Sequence, residues 1–178
     1  MQIYTKKGDA GQTSLYGGSG ISKSALPIHA CGELDELNAF IGAACSRLGD
    51  QQIVEELQQV QSTVFVMGAI IAGAKNNDSL QITVQHVEEL EKSIDAMEAE
   101  LAPLRNFILP GGSEAVCSIH VARAVCRRAE RAVVACDELQ KLPPVLLQYI
   151  NRLSDYLFVL ARFIGKMQHV EEVVWKTR

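Results

Sequence analysis

Four arginines, Arg123, Arg127, Arg128 and Arg131, stand close together in one amphipathic segment of a chain whose formal net charge is -4. Guanidinium groups present planar forks of N–H donors that match phosphate and carboxylate oxygens, so a local cation cluster on an acidic chain points to a specific anionic ligand. Arg123, Arg127 and Arg131 recur every four residues and share one helical ridge, whereas Ala122, Val125, Ala129, Ala132 and Cys136 follow the spacing of a core-facing stripe. A solvated ridge partnered by Glu114 and Glu130 is the alternative use of the same pattern. Just upstream, Phe107 to Gly112 reads Phe-Ile-Leu-Pro-Gly-Gly and Ser113 offers an N-cap, which delivers an aromatic side chain close to the arginines.

A second anion-binding composition lies in residues 1–30, where Thr5, Lys6, Lys7, Gly8, Asp9, Gly11, Thr13, Ser14, Gly17, Gly18, Ser22 and Lys23 combine glycines with hydroxyls and ammonium groups. Glycine lets backbone N–H groups approach oxygen anions, and Thr, Ser and Lys add side-chain donors and charge. The spacing Gly-x-x-x-x-Gly-Lys-Ser/Thr is missing, so this is not a Walker A loop, and a flexible arm is the alternative. Taken with the arginine ridge, a nucleoside triphosphate is the economical ligand for both places.

Other chemistries fail on spacing. None of His29, His86, His120 or His169 has a Glu three residues before it, as a di-iron bundle requires. Cys and His are not clustered at zinc spacing, and no Gly-x-Ser-x-Gly elbow occurs. His120 reads as a packing or hydrogen-bonding residue beside the core. With no obvious acid, base or nucleophile, any reaction must reside in the substrates, the protein supplying binding, orientation and electrostatics.

The elements that must position these groups are helices. At 178 residues and 48% hydrophobic, a single domain over 1–178 is expected, with a loop over 1–30 and a bundle over 31–170. Helical spacing predicts helices over Leu34 to Leu48, Gln52 to Ala72, Thr83 (as N-cap) to Leu101, the arginine segment, and a fifth from Pro143-Pro144. The fifth carries Leu146, Ile150, Leu153, Leu157, Leu160, Ile164 and Met167, a stripe for a core within one bundle or between subunits. Strand signals are confined to Gln2 to Thr5 and the tail Val170 to Lys176, so the fold class is all-α, an antiparallel helix bundle. Five cysteines without a Cys-x-x-Cys pair fit free thiols in a reducing cytosol. The start of the chain lacks an apolar leader and the longest apolar run, Val64 to Ala74, is too short to span a bilayer, so a cytoplasmic protein without membrane contact is expected. An acidic balance without a basic tail argues against nucleic acid.

Taken in order, five blocks resemble the PduO-type ATP:corrinoid adenosyltransferases, the ATP:cob(I)alamin adenosyltransferase family, from Ile3 to about Arg162. They are Tyr4 to Leu15 (Tyr-Thr-Lys-Lys-Gly-Asp-Ala-Gly-Gln-Thr-Ser-Leu), Leu34 to Asn38 (Leu-Asp-Glu-Leu-Asn), Phe107 to Gly112, Arg123 to Arg131 (Arg-Ala-Val-Cys-Arg-Arg-Ala-Glu-Arg) and Tyr149 to Asp155 (Tyr-Ile-Asn-Arg-Leu-Ser-Asp).

The resemblance implies a five-helix bundle that assembles as a homotrimer, with active sites between subunits. It implies transfer of the 5′-deoxyadenosyl group of ATP to the cobalt of cob(I)alamin or a related corrinoid, with release of inorganic triphosphate. Thr5, Lys6, Lys7, Gly8, Thr13, Ser14 and Lys23 would hold the triphosphate and its Mg²⁺, and Arg127, Arg128, Glu130, Arg131 and Asn151 would complete the nucleotide site, Arg128 and Glu130 partly as structural groups. Phe107 would press on the lower face of the corrin, and Asp35 would pair with Arg123 at or near the subunit boundary. A flavoprotein reductase and an adenosylcobalamin-dependent enzyme are the implied partners. Departures from the family are Lys7 in place of Thr, Gly20 and Pro27 in place of arginines, and Cys31 in place of a frequent Tyr. A non-catalytic trimeric carrier of corrinoid or nucleotide, or a plain interaction module, is the alternative function.

Overall fold

The computed structural model describes residues 3, 4, 6, 8–18, 20–74 and 80–177. Five helices follow one another: α1 Leu26–Cys45, α2 Gln51–Ile71, α3 Val84–Glu100, α4 Glu114–Gln140 and α5 Pro144–Met167. Each begins where its sequence supplies a start. Asp50 accepts from the N–H groups of Gln52 and Ile53 at 2.9 and 3.2 Å, and Ser113 accepts from Val116 at 3.2 Å, so both satisfy donors that the first helical turn leaves free. At α3 the Thr83 N–H donates to Nδ1 of His86 at 3.2 Å. Pro144 opens α5, where its missing N–H costs nothing. The α1 helix begins at Leu26, earlier than the expected Leu34, because Pro27 likewise fits a first helical turn and Ala25 is extended.

The closest helix pairings are α1 with α2, α1 with α4, α4 with α5, and α5 with α3. Their shared core is aliphatic: Leu34, Leu37 and Ile41 of α1, Leu57 and Met67 of α2, Ile119 and Val133 of α4, and Ile150, Leu153 and Leu157 of α5 are at most 2% exposed. All of the expected α5 stripe is buried except Met167, which is 46% exposed at the helix end. Ala122, Val125, Ala129, Ala132 and Cys136 of α4 are buried as their spacing predicts.

Before α1 the chain forms a short antiparallel hairpin, β1 Gln12–Ser14 with β2 Gly20–Ser22, in the register Gln12 to Ser22, Thr13 to Ile21 and Ser14 to Gly20. The predicted strand at Gln2 to Thr5 does not form at its described residues, Ile3 and Tyr4, while Gln2 and Thr5 lie outside the described residues. The predicted tail strand reduces to one bridge between Val174 and Ile108. No helix among the described residues is long and apolar enough to cross a membrane.

Candidate functional site

Gly112 and Ser113 set the entry to α4. Gly112 has φ +129, a region that favours glycine, and a Cβ there would come within 3.1 Å of the Val116 and Val170 side chains. The chain therefore turns tightly from the Phe107 segment into the capped helix, and His120, Arg123 and Arg127 follow at spacings of three and four on one α4 face. All three line a cavity of about 730 Å³, walled by Glu91, Asp95 and Glu98 of α3, by Arg152, Asp155 and Phe158 of α5, and by Phe107, Ile108 and Pro110. Phe107, Arg123 and Arg127, singled out from sequence, are thus brought together.

The cavity carries both signs of charge, Arg123, Arg127 and Arg152 facing Glu91, Asp95, Glu98 and Asp155, and its cations are unequally matched. The guanidinium of Arg123 stands 5.9 Å from the centre of the Phe158 ring, and its Nε is buried with no hydrogen-bond partner. Burial, and then the like charge of Arg127, lower its pKa. Arg127 makes no ion pair among the described residues; its carbonyl accepts from Nη1 of Arg131 at 2.8 Å. Arg152 is already matched, by Glu91 at 3.0 Å and Asp155 at 2.9 Å. His120 is buried, 6.4 Å from the Phe158 ring centre, with Nδ1 unpartnered. Burial chiefly, then the Arg123 cation, lower its pKa against an opposing pull from Glu172, which keeps the imidazole neutral. Sequence reasoning placed His120 beside the core and gave it no part in a site; its place one turn before Arg123 on the same ridge was the available signal.

The other α4 charges face elsewhere. Arg128 is tied across to α1, by Glu33 at 2.6 Å and by Glu36, and Glu130 accepts from Nδ2 of Asn151 at 2.9 Å. Asp35 is exposed on α1 and makes no ion pair with Arg123 within one chain.

The glycine-rich segment is a separate place. The Lys23 N–H donates to the Gly11 carbonyl at 2.9 Å, and a Cβ on Gly8 would meet the Lys23 ammonium at 3.0 Å, so Gly8 and Lys23 are held together across the hairpin base. Lys6 has φ +59 and its ammonium lies 6.0 Å from the Tyr4 ring. Thr13 and Ser14 sit on β1. The Tyr16 N–H donates to the carbonyl of Ala72 at 2.8 Å and pins the hairpin to the end of α2. None of these residues lines the arginine cavity, and Thr5 and Lys7 lie outside the described residues.

Comparison with known proteins gives this geometry a context. Residues 3–164 match the family described as cobalamin adenosyltransferase. The corrinoid adenosyltransferase of Bacillus subtilis is 39% identical over 99% of this chain and 93% of its own length, and that of Mycobacterium leprae is 40% identical over 98% and 95%. The PduO corrinoid adenosyltransferase of Citrobacter freundii is 37% identical, and the chain spans about half of it, 53%. A phenylalanine-to-alanine variant of the PduO-type ATP:corrinoid adenosyltransferase of Lactobacillus reuteri, complexed with cobalamin and ATP, superimposes with a TM-score of 0.92 at 32% identity, covering 99% of this chain and all of that one. An arginine-to-lysine variant of that enzyme, complexed with ATP, gives 0.91 at 33%, covering 98% and 100%.

Proposed function

The chain belongs to the cobalamin adenosyltransferase family, and from that premise we infer that it transfers the 5′-deoxyadenosyl group of ATP to the cobalt of a reduced corrinoid such as cob(I)alamin. The observation that carries this reading is the convergence of an 80% exposed phenylalanine, Phe107, with two arginines free of ion pairs among the described residues, Arg123 and Arg127, on one cavity. Phosphate chemistry alone has no use for such an aromatic.

Co(I) is itself the nucleophile. Its electron pair forms the bond to C5′ of ATP while the C5′–O bond breaks and its pair leaves on the triphosphate. No protein base is needed, and the neutral, enclosed His120 is not called on as one. The chain must hold cobalt and C5′ in line and stabilise charge on the departing triphosphate. Arg127, exposed and unpaired, is assigned the second task, with Lys6 and Lys23 as point charges and Gly8, Thr13 and Ser14 as donors along the phosphates. Arg131 and the Glu130 to Asn151 pair complete the nucleotide side, and Arg128, anchored on α1, holds α4 in place. Phe107 covers the lower face of the corrin and removes its axial ligand, which makes reduction of Co(II) feasible. Mg²⁺ takes most of its ligands from phosphate oxygens and water. Among the described residues no three His, Cys, Asp or Glu are grouped so as to hold a metal ion, and the hydroxyls of Thr13 and Ser14 are assigned to it.

The complete site is assigned to the boundary between subunits of a homotrimer. Two observations support this: the described hairpin residues do not line the arginine cavity, and among the described residues the buried Nε of Arg123 has no hydrogen-bond partner while Asp35 is exposed. A neighbouring copy bringing its hairpin to this cavity, and Asp35 to Arg123, supplies what each lacks. Residues 1–178 act as one domain in the cytoplasm, fed by a flavoprotein reductase and supplying an adenosylcobalamin-dependent enzyme.

An anaerobic assay with ATP and chemically reduced cobalamin tests the activity. The expected result is the absorption spectrum of adenosylcobalamin with one inorganic triphosphate released per Co–C bond. Binding of both substrates without Co–C bond formation, or release of phosphate and pyrophosphate instead, would overturn it.

A further inference from the structure

The segment after α5 does not line the cavity, yet it packs against Phe107 and Ile108, which do. The chain turns at His169, whose φ is +55, and residues 170–177 return antiparallel to the Phe107 segment. The Leu109 N–H donates to the Val173 carbonyl at 2.8 Å, the Trp175 N–H donates to the Phe107 carbonyl at 2.8 Å, and Ile108 and Val174 form a bridge. Behind them Glu172 is anchored on the buried Arg162, which donates from Nε at 2.7 Å and from Nη2 to the carbonyl of Ala102 at 2.9 Å. The Trp175 ring then stands edge-on to Phe107, with centroids 6.4 Å apart and planes at 80°. A ring as exposed as Phe107 is otherwise free to exchange rotamers, and an edge-to-face neighbour favours one of them.

We propose that Trp175 is a positioning residue for Phe107: the returning tail fixes the Phe107 backbone by its main-chain bonds, and the indole fixes the ring before corrinoid arrives. Setting the ring in advance removes an ordering cost from the bound state. The inference rests on the corrin-facing role of Phe107 given above, and it assigns a part in the reaction to the tail after α5.

Five proteins test it: wild type, Trp175→Ala, Trp175→Phe, Phe107→Ala and the double variant Trp175→Ala/Phe107→Ala. Trp175→Ala keeps both tail-to-loop main-chain bonds. It is expected to leave KM for ATP unchanged while lowering kcat and the four-coordinate Co(II) signal about three- to tenfold, the range open to an edge-to-face contact. Trp175→Phe should recover most of both, and in the Phe107→Ala background the Trp175→Ala change should cost nothing further. A wild-type Co(II) signal in Trp175→Ala beside a lost signal in Phe107→Ala would overturn the inference and leave the role of Phe107 standing; a wild-type signal in Phe107→Ala would remove that role itself. Equal losses from Trp175→Ala in both backgrounds would also overturn it, by showing that the indole acts elsewhere. Trp175 is the sole tryptophan of the chain, which gives a check on folded protein without substitution at 175: Phe107→Ala should shift its emission maximum, and an unshifted maximum counts against the contact.

Discussion

Arg127 and Arg123 lie one turn apart and differ in exposure, Arg123 being half-buried and Arg127 exposed. Arg127 is exposed, unpaired and free to follow a charge as it develops, so Arg127→Ala should lower kcat/KM about 10²- to 10³-fold with the fold intact, and lysine should restore little, because a point charge does not reproduce a planar fork. Steady-state kinetics with ATP varied, beside a melting curve, measures this. His120 gives a pH signature. Its folded pKa lies below the ordinary value of about 6.5, so between the two values the unfolded chain carries a proton that the folded chain refuses. Stability should therefore fall as pH drops through about 6.5 and level off below the lowered pKa, and denaturant midpoints for His120→Gln should show a flatter slope there. The thiols divide as sharply: burial pushes Cys126 up to about 12 while its Sγ donates to the Ile150 carbonyl at 3.6 Å, whereas Cys117 is exposed. Iodoacetamide on the native protein should label Cys117 and leave Cys126 untouched until unfolding.

The turn into α4 is where an element carries the site. Gly112→Ala would place a methyl against Val116 and Val170 at a backbone angle that disfavours side chains, with an expected cost of about 1 to 3 kcal/mol in a urea titration, and it should disturb the Phe107 segment and the returning tail together. This turn was legible in sequence because each of its parts has a local cause: proline, paired glycines and a serine cap. So were α4 and α5, whose stripes persist through several turns. What stayed hidden had no local cause. The strands of the β1 to β2 hairpin are three residues each, too short for a period to show, and glycine supplies one of its pairing positions. The tail strand was sought as a strand of its own, but its partner is a loop far away in sequence, and only the folded chain brings Val174 to Ile108. His120 is buried beside the core as its position reads, and only its place on the cavity wall stayed hidden, since the cavity forms from segments far apart in sequence.

At the scale of the whole molecule, the proposed pairing of Asp35 with Arg123 of another copy makes a prediction that one chain cannot fulfil. Asp35→Asn and Arg123→Ala should each impair trimer formation and turnover, and the double variant should lose less than the sum, with a coupling of about 0.5 to 3 kcal/mol read by sedimentation and kinetics. Fully additive losses would place the two residues in separate roles. The order of helix packing has another consequence. Because α3 packs principally on α5 and buries only Val87, Leu90 and Met97, while α4 lies between α1 and α5 and buries a stripe along its whole length, the bundle holds its helices with unequal grip. In deuterium exchange the amides of α3 should be lost before those of α4. Glu91, Asp95 and Glu98 make α3 a wall of the cavity, so movement of α3 is the expected way for a bulky planar macrocycle to be admitted while Arg123 and Arg127, on the firmly held α4, keep their register.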